Sequence, residues 1–530
     1  MIPFMPVALE AINKPESVAA PVGGINAKDS LVAMPETDAV LMQNWWPQPY
    51  GCTVRKGFRE WAIDMPSSVD TIAPWADRTG TQKLFAWSGG NVYDITSPGS
   101  AVITPISGLT NSVWDYTNLV NAAGSHLIAL NGIDDGIIYN VTGARITLGD
   151  GIVANTWKNI SPKDAVCPCV HQHRLWVVEK NTANGWFLPP DAVQGAFIKY
   201  DFGPLFSRGG FLQFLTTWTL DDGSGATDHL IACSSRGEVV VYEGIDPEDD
   251  MNWKLTGVYY IGAPVSGRRA FCKAGGDQFI LTQQGLVSMT AVLTSTKVSE
   301  APGKVKTDKI QFLLSELVST FSVAYGWDLK YYPKDNMLIL NVPSVTVGGN
   351  IQLAANQITN AWTEFVGMDA SCWGFFGSTP MFGNFEGKVY QAWVGNSDAV
   401  RLDGGGGQGI VSRVQQAYSY MGARAVQKQV GMYRPVFVVT DPASFHSTIR
   451  YDFKPELLTI PGPLPVSGNS LWGIGTWNES LWGGGDTVQK QWIQANGMGV
   501  AASLLMVMKT EGEVLWVATD YSITGGWGLF

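Results

Sequence analysis

The chain has few charged residues for its length. Asp, Glu, Lys and Arg make up 15% of its 530 residues, against roughly 25% in typical soluble domains. Much of the monomer surface is therefore expected to be covered, and a large subunit interface is the simplest cover because obligate interfaces resemble a divided core. The alternative is a strand-rich protein whose exposed surface is polar but uncharged.

Basic residues are scarcer than acidic ones. Lys and Arg number 35 and Asp and Glu 46, which gives a formal net charge of −11. This balance argues against tight nucleic-acid binding, which depends on attraction to phosphates, although it suits a wall along which DNA slides without sticking. The densest basic spots are Arg268-Arg269 and the run Lys304, Lys306 and Lys309, and we expect both to be solvated surface.

Targeting signals and disulfide patterns are also lacking. Residues Met1 to Pro15 have no basic start followed by an apolar run, so no secretory signal is expected. The longest apolar run, Val500 to Met508, has nine residues and is too short to span a bilayer. Six cysteines without a signal indicate thiols of a protein made in the cytoplasm rather than a disulfide framework.

Catalytic signatures are missing as well. The sequence contains neither Gly-x-Ser-x-Gly nor a phosphate-binding Gly-x-x-x-x-Gly-Lys-Ser/Thr, and only five histidines, which leaves few bases for a Ser-His-Asp triad. The acidic pairs Asp134-Asp135 and Asp221-Asp222 and the loop Asp246–Asp250 offer carboxylates for glycoside hydrolysis. Their Gly- and Pro-containing surroundings favour solvated turns instead. We predict no catalytic residue and no cofactor.

One short segment resembles a metal site. Cys167, Cys169, His171 and His173 alternate along the chain, so in a strand they share one face, with the outer two about 20 Å apart at ~3.3 Å per residue. A single tetrahedral ion needs all its ligands within about 2.3 Å. His171 and His173 could supply two ligands only with help from elsewhere. A buried strand is the favoured interpretation, and no metal is predicted.

Seven strand–turn–strand units recur between Ile72 and Val394. Each has an apolar strand, a turn of small residues and a second strand rich in Val, Ile and aromatics, and successive units begin 43 to 58 residues apart. This spacing is typical of four-stranded propeller blades, so we predict an all-β fold with a degenerate β-propeller; a sandwich of hairpins is the alternative. The units are Leu84–Ile95, Leu127–Tyr139, Leu175–Leu188, Leu230–Tyr242, Phe279–Met289, Met337–Val342 and Met381–Tyr390.

Three regions follow from these patterns. Residues 1–65 have few strands of their own and are expected to dock on the C-terminal region. Residues 66–403 form the propeller, with a helical insertion near 308–320 where Asp308 is a candidate cap and Ile310, Leu313, Leu314 and Leu317 share one face. The glycine run beginning at Gly404 marks the start of an all-β platform domain, residues 404–530.

Tryptophan is repeated near the C-terminus. Trp472, Trp477 and Trp482 follow one another at five-residue intervals, and Ser-Leu-Trp-Gly occurs twice. That interval matches neither a helix nor a single strand, so short strands separated by Gly turns are expected. The rings are candidates for the platform core, for a contact between subunits, since Trp is enriched where interfaces carry most energy, or for sugar binding. Trp45 and Trp46 are further candidates for the subunit contact.

Several strings resemble tail proteins of short-tailed bacteriophages, namely the tail nozzle proteins, also called second tail tubular or tail-hub stabilising proteins. Near the N-terminus and in the middle they include Gly23–Leu31, Asp38–Pro47, Val54–Gly57 and Asn356–Phe365. Near the C-terminus they are Gln415–Tyr420 and Asp520–Gly526. None of these strings is a catalytic signature, and together with the surrounding pattern they cover about half of the chain.

The resemblance implies a structural virion protein rather than an enzyme. It implies a homohexameric ring of subunits, each with a propeller and a platform domain, that lies below the portal adaptor in the virion tail and lines and closes the DNA exit channel. Its implied partners are further copies of the chain, the tail adaptor, tail fibre or needle proteins, and double-stranded DNA that passes without specific binding. Synthesis would take place in the cytoplasm of a bacterial host. The alternatives are a glycan-active propeller enzyme and a monomeric binding propeller.

Overall fold

Short antiparallel strands form almost all of the regular structure. A computed structural model describes residues 13–104, 106–140, 145–148, 157–221, 226–294, 306–344, 349–422, 424, 426–441, 443–454 and 487–525. Within these ranges the strands are organised as a ring of seven small sheets beside a two-sheet platform. The predicted all-β propeller with a platform domain is confirmed.

The first four blades each contain four antiparallel strands, ordered along the chain from the innermost to the outermost. In blade 1 the strand Gly99–Ser100, which belongs to blade 7, lies between the third and fourth strands in sequence. Blade 1 contains Val69–Ala76, Gln82–Ser88, Asn91–Asp94 and Val102–Ile103, and blade 2 contains Asp115–Asn121, Gly124–Leu130, Gly136–Asn140 and Arg145–Leu148. Blade 3 contains Ala165–His171, Arg174–Glu179, Asn184–Phe187 and Ile198–Asp201, and blade 4 contains Leu212–Asp221, Ala226–Ser234, Glu238–Gly244 and Trp253–Tyr260.

Blades 5 and 7 depart from this pattern, whereas blade 6 keeps it but continues into the platform. Blade 5 contains Phe271–Ala274, Asp277–Thr282 and Gly285–Ser288, followed by the short helix Met289–Thr294, and blade 6 contains Asp328–Tyr332, Met337–Val342, Ile351–Asn356 and Ala361–Phe365. Blade 7 contains Ala370–Phe376, Thr379–Asn384 and Val389–Ala392, and takes its outer strands Phe58–Ile63 and Gly99–Ser100 from earlier in the chain. Because Phe58–Ile63 precedes blade 1, it closes the ring.

Apolar clusters between neighbouring blades hold the ring together. Every junction has one, from Trp87 and Leu127 between blades 1 and 2 to Ile72 and Met381 between blades 7 and 1. Six of the seven predicted units correspond to the second and third strands of a blade, and the unit Met337–Val342 corresponds to the second strand of blade 6 alone. These strands are covered on both faces and are therefore strongly apolar, whereas an outer strand such as Trp253–Tyr260 is largely exposed and gives a weaker signal.

The platform is a sandwich of two sheets. One continues blade 6: the outer strand Ala361–Phe365 pairs in parallel with Ala39–Gln43, and the sheet extends through Gln408–Gln416, Ala502–Thr510 and Ser444–Tyr451. Its short side strand is Ser397–Asp398. The other sheet contains Asn13–Ala19, Trp45–Gln48, Gly51–Val54, Val514–Gly525, Lys428–Val439, Thr487–Lys490, Ile493–Gln494 and Met498–Gly499. One apolar cluster fills the space between them.

The helical insertion is the helix Gln311–Phe321, preceded by the 3-10 turn Asp308–Ile310. Ile310, Leu314 and Val318 are buried in the platform cluster. Asp308 does not cap the helix; its carboxylate instead accepts a hydrogen bond from Lys28 Nζ at 2.6 Å. The remaining 3-10 turns are Pro162–Asp164, Gly203–Leu205 and Pro333–Asp335. In the described part of the chain, the model contains no helix of the length and apolarity required to cross a membrane.

Candidate functional site

Five of the six strings that carry the phage-tail resemblance meet where the N-terminal segment, blade 6 and the platform join; the described residues of the sixth, 520–525, lie in the platform strand Val514–Gly525. We call this region the joint. It comprises Gly23–Leu31 and Asp38–Pro47, the turn Val54–Gly57 that leads into the closing strand, the hairpin Asn356–Phe365 of blade 6, and Gln415–Tyr420 of the platform. Strands from widely separated parts of the sequence pair here, so the joint depends on the complete fold.

Arg55 is the central polar residue of the joint. Its guanidinium donates two parallel hydrogen bonds to Asp398, from Nη1 to Oδ1 at 2.7 Å and from Nη2 to Oδ2 at 2.6 Å. Its Nε donates to Asn44 Oδ1 at 2.9 Å. The Arg55 side chain is fully buried and that of Asp398 is 16% exposed. Because Asp398 follows blade 7, this ion pair ties the start of the propeller to its end.

Sequence reasoning did not identify this pair. The available signal was an arginine inside one of the quoted strings in a chain of low charge, but nothing in the local pattern indicates a partner more than 300 residues away, at Asp398. Removing one partner of such a buried bidentate pair strongly destabilises a protein, because the remaining charge is left without compensation.

A second polar cluster fixes the first string to the helical insertion. The buried carboxylate of Asp38 accepts hydrogen bonds from Asn26 Nδ2 at 2.8 Å and from Lys309 Nζ at 2.8 Å. Lys309 also donates to the carbonyl oxygen of Gly23 at 3.1 Å. The expectation that Lys309 is free solvated surface is therefore wrong: its charge neutralises a buried carboxylate.

Side chains of blade 6 complete the joint. Asn356 Nδ2 donates to the carbonyl oxygen of Pro47 at 3.0 Å, and Thr363 Oγ1 donates to that of Met42 at 3.2 Å. Gln43 Nε2 donates to Glu364 Oε2 at 2.9 Å. Burial raises the pKa of Glu364, and the Gln43 hydrogen bond opposes that rise. These bonds run alongside the shared sheet and connect the N-terminal segment to the propeller edge.

Two of the tryptophans proposed as subunit contacts, Trp45 and Trp46, are buried. Trp45 is 0% exposed and packs against Trp516 with ring centroids 5.6 Å apart. Trp46 is 4% exposed and meets Trp393 edge-on at 5.7 Å. Both rings are core residues of one chain, so neither presents surface to a neighbouring subunit. Trp472, Trp477 and Trp482 lie outside the described residues.

The central channel of the propeller is crossed by the two arginines that were expected to be solvated. Arg269 precedes the inner strand of blade 5 and donates to the carbonyl oxygens of Asp70 at 2.8 Å and Trp114 at 2.7 Å, on blades 1 and 2. Its Nη2 also reaches Thr71 Oγ1 at 2.7 Å. Arg268 Nε donates to Asp115 Oδ2 at 2.5 Å. The expectation of free surface is wrong because these side chains point into the ring.

Further polar groups lie around the arginines. Lys330 Nζ is 3.2 Å from Asp328 Oδ1; burial lowers the pKa of Lys330, but its interactions with Asp328 and Tyr116 together outweigh burial and raise the pKa above its usual value. The remaining cavity has a volume of about 210 Å³. The channel of a single propeller is thus blocked by side chains, which leaves no room for a nucleic-acid duplex.

The alternating Cys and His residues form a buried strand that ends in a turn, as the favoured interpretation predicts. Cys167 and Cys169 are buried, and His171 Nδ1 lies 2.9 Å from Thr217 Oγ1. His173 is in the turn with its side chain 76% exposed. A bulge between Val166 and Cys169 further disturbs the alternation. Among the described residues, no three His, Cys, Asp or Glu side chains are placed to hold a metal ion.

The acidic loops use their carboxylates to organise turns. Asp134 accepts hydrogen bonds from Thr110 and Asn131; partial burial raises its pKa, but these bonds outweigh it and the net pKa is lowered. Asp246 accepts from Arg174 Nη2 at 3.0 Å. A carboxyl group with a lowered pKa is ionised at neutral pH, so Asp134 is unsuited to be a general acid.

Comparisons with known proteins add little to this geometry. No family model matches the chain, and no curated protein matches it. One similar solved structure is the extracellular domain of a hybrid two-component system from B. thetaiotaomicron, at 13% identity and a TM-score of 0.39, covering 62% of this chain and 40% of that chain. Another is a quinoprotein alcohol dehydrogenase-like protein from Bacteroides thetaiotaomicron, at 7% identity and a TM-score of 0.31, covering 55% and 65%. The chain therefore spans less than two thirds of either neighbour, and at these scores neither likeness bears on its function.

Proposed function

We propose that the chain is a subunit of a phage tail nozzle, a non-enzymatic ring that conducts DNA out of the virion. The observation that supports this most is the union of a propeller with a platform, the two parts implied by the resemblance. Five of the six strings that carry the resemblance, such as Asp38–Pro47 and Val54–Gly57, form the joint between those parts. Holding the propeller to the platform would thus account for the residue types in these strings.

Mechanically, the joint suits a load-bearing subunit. A hydrogen-bonded sheet runs without interruption from blade 6 through Ala39–Gln43 into the platform, and the Arg55–Asp398 pair lies at the turn beside it. Bending the platform away from the propeller would break several backbone hydrogen bonds together with a buried ion pair. Such a subunit transmits force from its neighbours rather than absorbing it.

The DNA path in this proposal lies between subunits. Arg268 and Arg269 block the propeller's own channel, so the duplex would pass along the axis of the ring. The net charge of −11 disfavours adhesion to phosphates. The ring would contact the tail adaptor and fibre or needle proteins in the virion tail, after synthesis in the cytoplasm of the bacterial host.

The experiment that tests this proposal is a measurement of mass and shape. Light scattering and negative-stain imaging of the purified 57.4 kDa chain, alone and mixed with its tail adaptor, should show six-fold rings of roughly 340 kDa. A monomer under both conditions would contradict the proposal. Cleavage of bacterial polysaccharide by that monomer would favour the glycan-active alternative.

A further inference from the structure

Among the described residues, the outward side-chain positions of the platform sheet that contains Lys428–Val439 are exposed or half-buried. Along this strand, Val430, Tyr433, Phe437 and Val439 are buried in the platform core. The alternate positions Met432, Arg434, Val436 and Val438 point the other way. A sheet surface exposed to water is normally polar, yet three of these four outward residues are apolar.

Neighbouring strands extend this apolar surface. Val438 pairs with both Val488 and Leu515, and directly paired residues share a face. Val488 is 56% exposed, Met432 is 42% exposed, and Trp492 and Val517 are both 39% exposed. We call this surface the platform face, which consists of Met432, Val436, Val438, Val488, Trp492, Leu515 and Val517.

The charges on the platform face are largely balanced internally. Arg434 Nε donates to Asp520 Oδ2 at 2.8 Å, and its guanidinium lies 4.6 Å from the centre of the Trp492 ring. Lys490 lies at the edge of the surface, paired with Val436. An apolar surface with a central Arg and Trp and a lysine at its edge has the composition of an interface core.

The size of the platform face fits the same interpretation. Three strands about 4.8 Å apart and six residues at about 3.3 Å each give an area on the order of 300 Å², which equals the largest apolar patches of typical monomers. A standard interface takes about 800 Å² from each partner, so this surface corresponds to its apolar centre. It continues into a cleft of about 310 Å³ between platform and propeller, where Val438 and Leu515 are joined by charged side chains such as Lys56, Asp335 and Glu513.

We infer that the platform face is the surface on which a second copy of this chain docks. The inference rests on the proposed ring, in which every subunit needs such a contact, and it specifies where that contact lies. A predominantly apolar surface selects a partner that brings little charge, and a further copy of this chain, with 15% charged residues, meets that requirement. Its continuity with the cleft lets the docked copy touch platform and propeller together.

The test introduces a charge into the platform face. Trp492→Glu should raise the concentration at half-assembly by at least about tenfold, because a buried carboxylate without a partner opposes association; Trp492→Phe should assemble like the wild type. The matched control is Phe385→Glu, at an aromatic residue 50% exposed on blade 7, which should leave assembly unchanged. Masses are measured by light scattering over a dilution series, with circular dichroism to verify folding.

Each outcome decides the inference. If Trp492→Glu does not fold, Val488→Glu replaces it, at a neighbouring exposed position of the same face. Rings that form equally well with these variants would overturn the docking surface and leave the nozzle proposal standing. A wild-type chain that stays monomeric even with its adaptor would overturn both. Loss of assembly in both face variants, with Phe385→Glu intact, is the expected result.

Discussion

Propeller and platform are built from the same kind of strand in opposite ways. In the propeller, consecutive strands pair, so that blade 2 lies entirely between Asp115 and Leu148. In the platform, Asn13–Ala19 pairs with Val514–Gly525 from the other end of the chain. Contacts that are close in sequence form quickly, and those far apart must overcome a larger loss of chain entropy. We therefore expect the blades to form first and the platform to close last.

The closing strand connects the two kinds of organisation. Phe58–Ile63 completes blade 7, although it belongs to the N-terminal segment that otherwise pairs with the platform. Strand pairing in the propeller is therefore local in sequence within a blade and non-local where the ring closes. The predictions below compare residues that secure the non-local contacts with matched residues that do not.

The largest effect is expected for Arg55→Ala. Removing the guanidinium leaves the carboxylate of Asp398, 16% exposed, without its partner, and breaking a buried ion pair from one side costs about 3–5 kcal/mol. Urea unfolding should show this decrease in the free energy of unfolding. Arg401→Ala is the control, since its pair with Asp403 has side chains 60% and 64% exposed, and it should show no measurable change. Equal effects for the two variants would contradict the role of the joint.

The second largest decrease in stability is expected for Arg269→Met. Its guanidinium donates to two carbonyl oxygens and one hydroxyl on blades 1 and 2, and losing a charged donor to buried acceptors costs about 3 kcal/mol in total. The comparison is Arg208→Met: this exposed arginine lies 3.8 Å from the centre of the Tyr260 ring and should cost only about 0.5–1 kcal/mol. Thermal and urea unfolding measure both. An unchanged Arg269→Met protein would show that the blades need no support across the channel.

Gly57→Ala tests the close approach at the joint. A Cβ at this position would lie 1.9 Å from the carbonyl oxygen of Ser397, so the backbone must shift, at a cost of about 2–3 kcal/mol. Gly276→Ala is the matched blade variant, because a Cβ there meets nothing within 4 Å, and it should change stability by less than about 1 kcal/mol. The urea unfolding midpoints of the two variants measure this difference in stability. Similar midpoints would mean that the backbone of the joint can shift at little energetic cost.

The smallest effect concerns acidification of the propeller. Burial lowers the pKa of His171 from 6.5 to about 4, so between these values the unfolded chain binds the proton more readily than the folded chain. Stability should fall as the pH decreases from 7 towards 4 and then level off, with a loss of about 2 kcal/mol at pH 5.

The His171→Gln variant isolates this contribution. Its free energy of unfolding should depend less on pH than that of the wild type between pH 7 and 5, and the difference between the two proteins should stay constant from pH 7 to 8. An identical slope in both proteins between pH 7 and 5 would contradict the assignment. Urea unfolding followed at each pH provides the measurement.

Features set by residues close in sequence could be predicted, and features set by distant residues could not. The second and third strands of six blades, and the second strand of blade 6, were located because both their faces are covered, as in Glu238–Gly244 of blade 4. The helix near 308–320 was found by its apolar spacing, but the partner of Asp308 was not, because Lys28 is 280 residues away. The arginines of the channel were misjudged, since sequence neighbours do not reveal that Arg269 faces the interior of a ring.

By itself, the sequence determined the all-β class, the seven recurring units and the low surface charge, because periodic burial leaves its mark on consecutive residues. Only the tertiary structure decided that Ala39–Gln43 joins blade 6 to the platform, that Arg55 meets Asp398, and that Trp45 and Trp46 lie in the interior. The physical reason is that pairing between distant segments depends on shape and desolvation in three dimensions, which no local pattern of residues encodes.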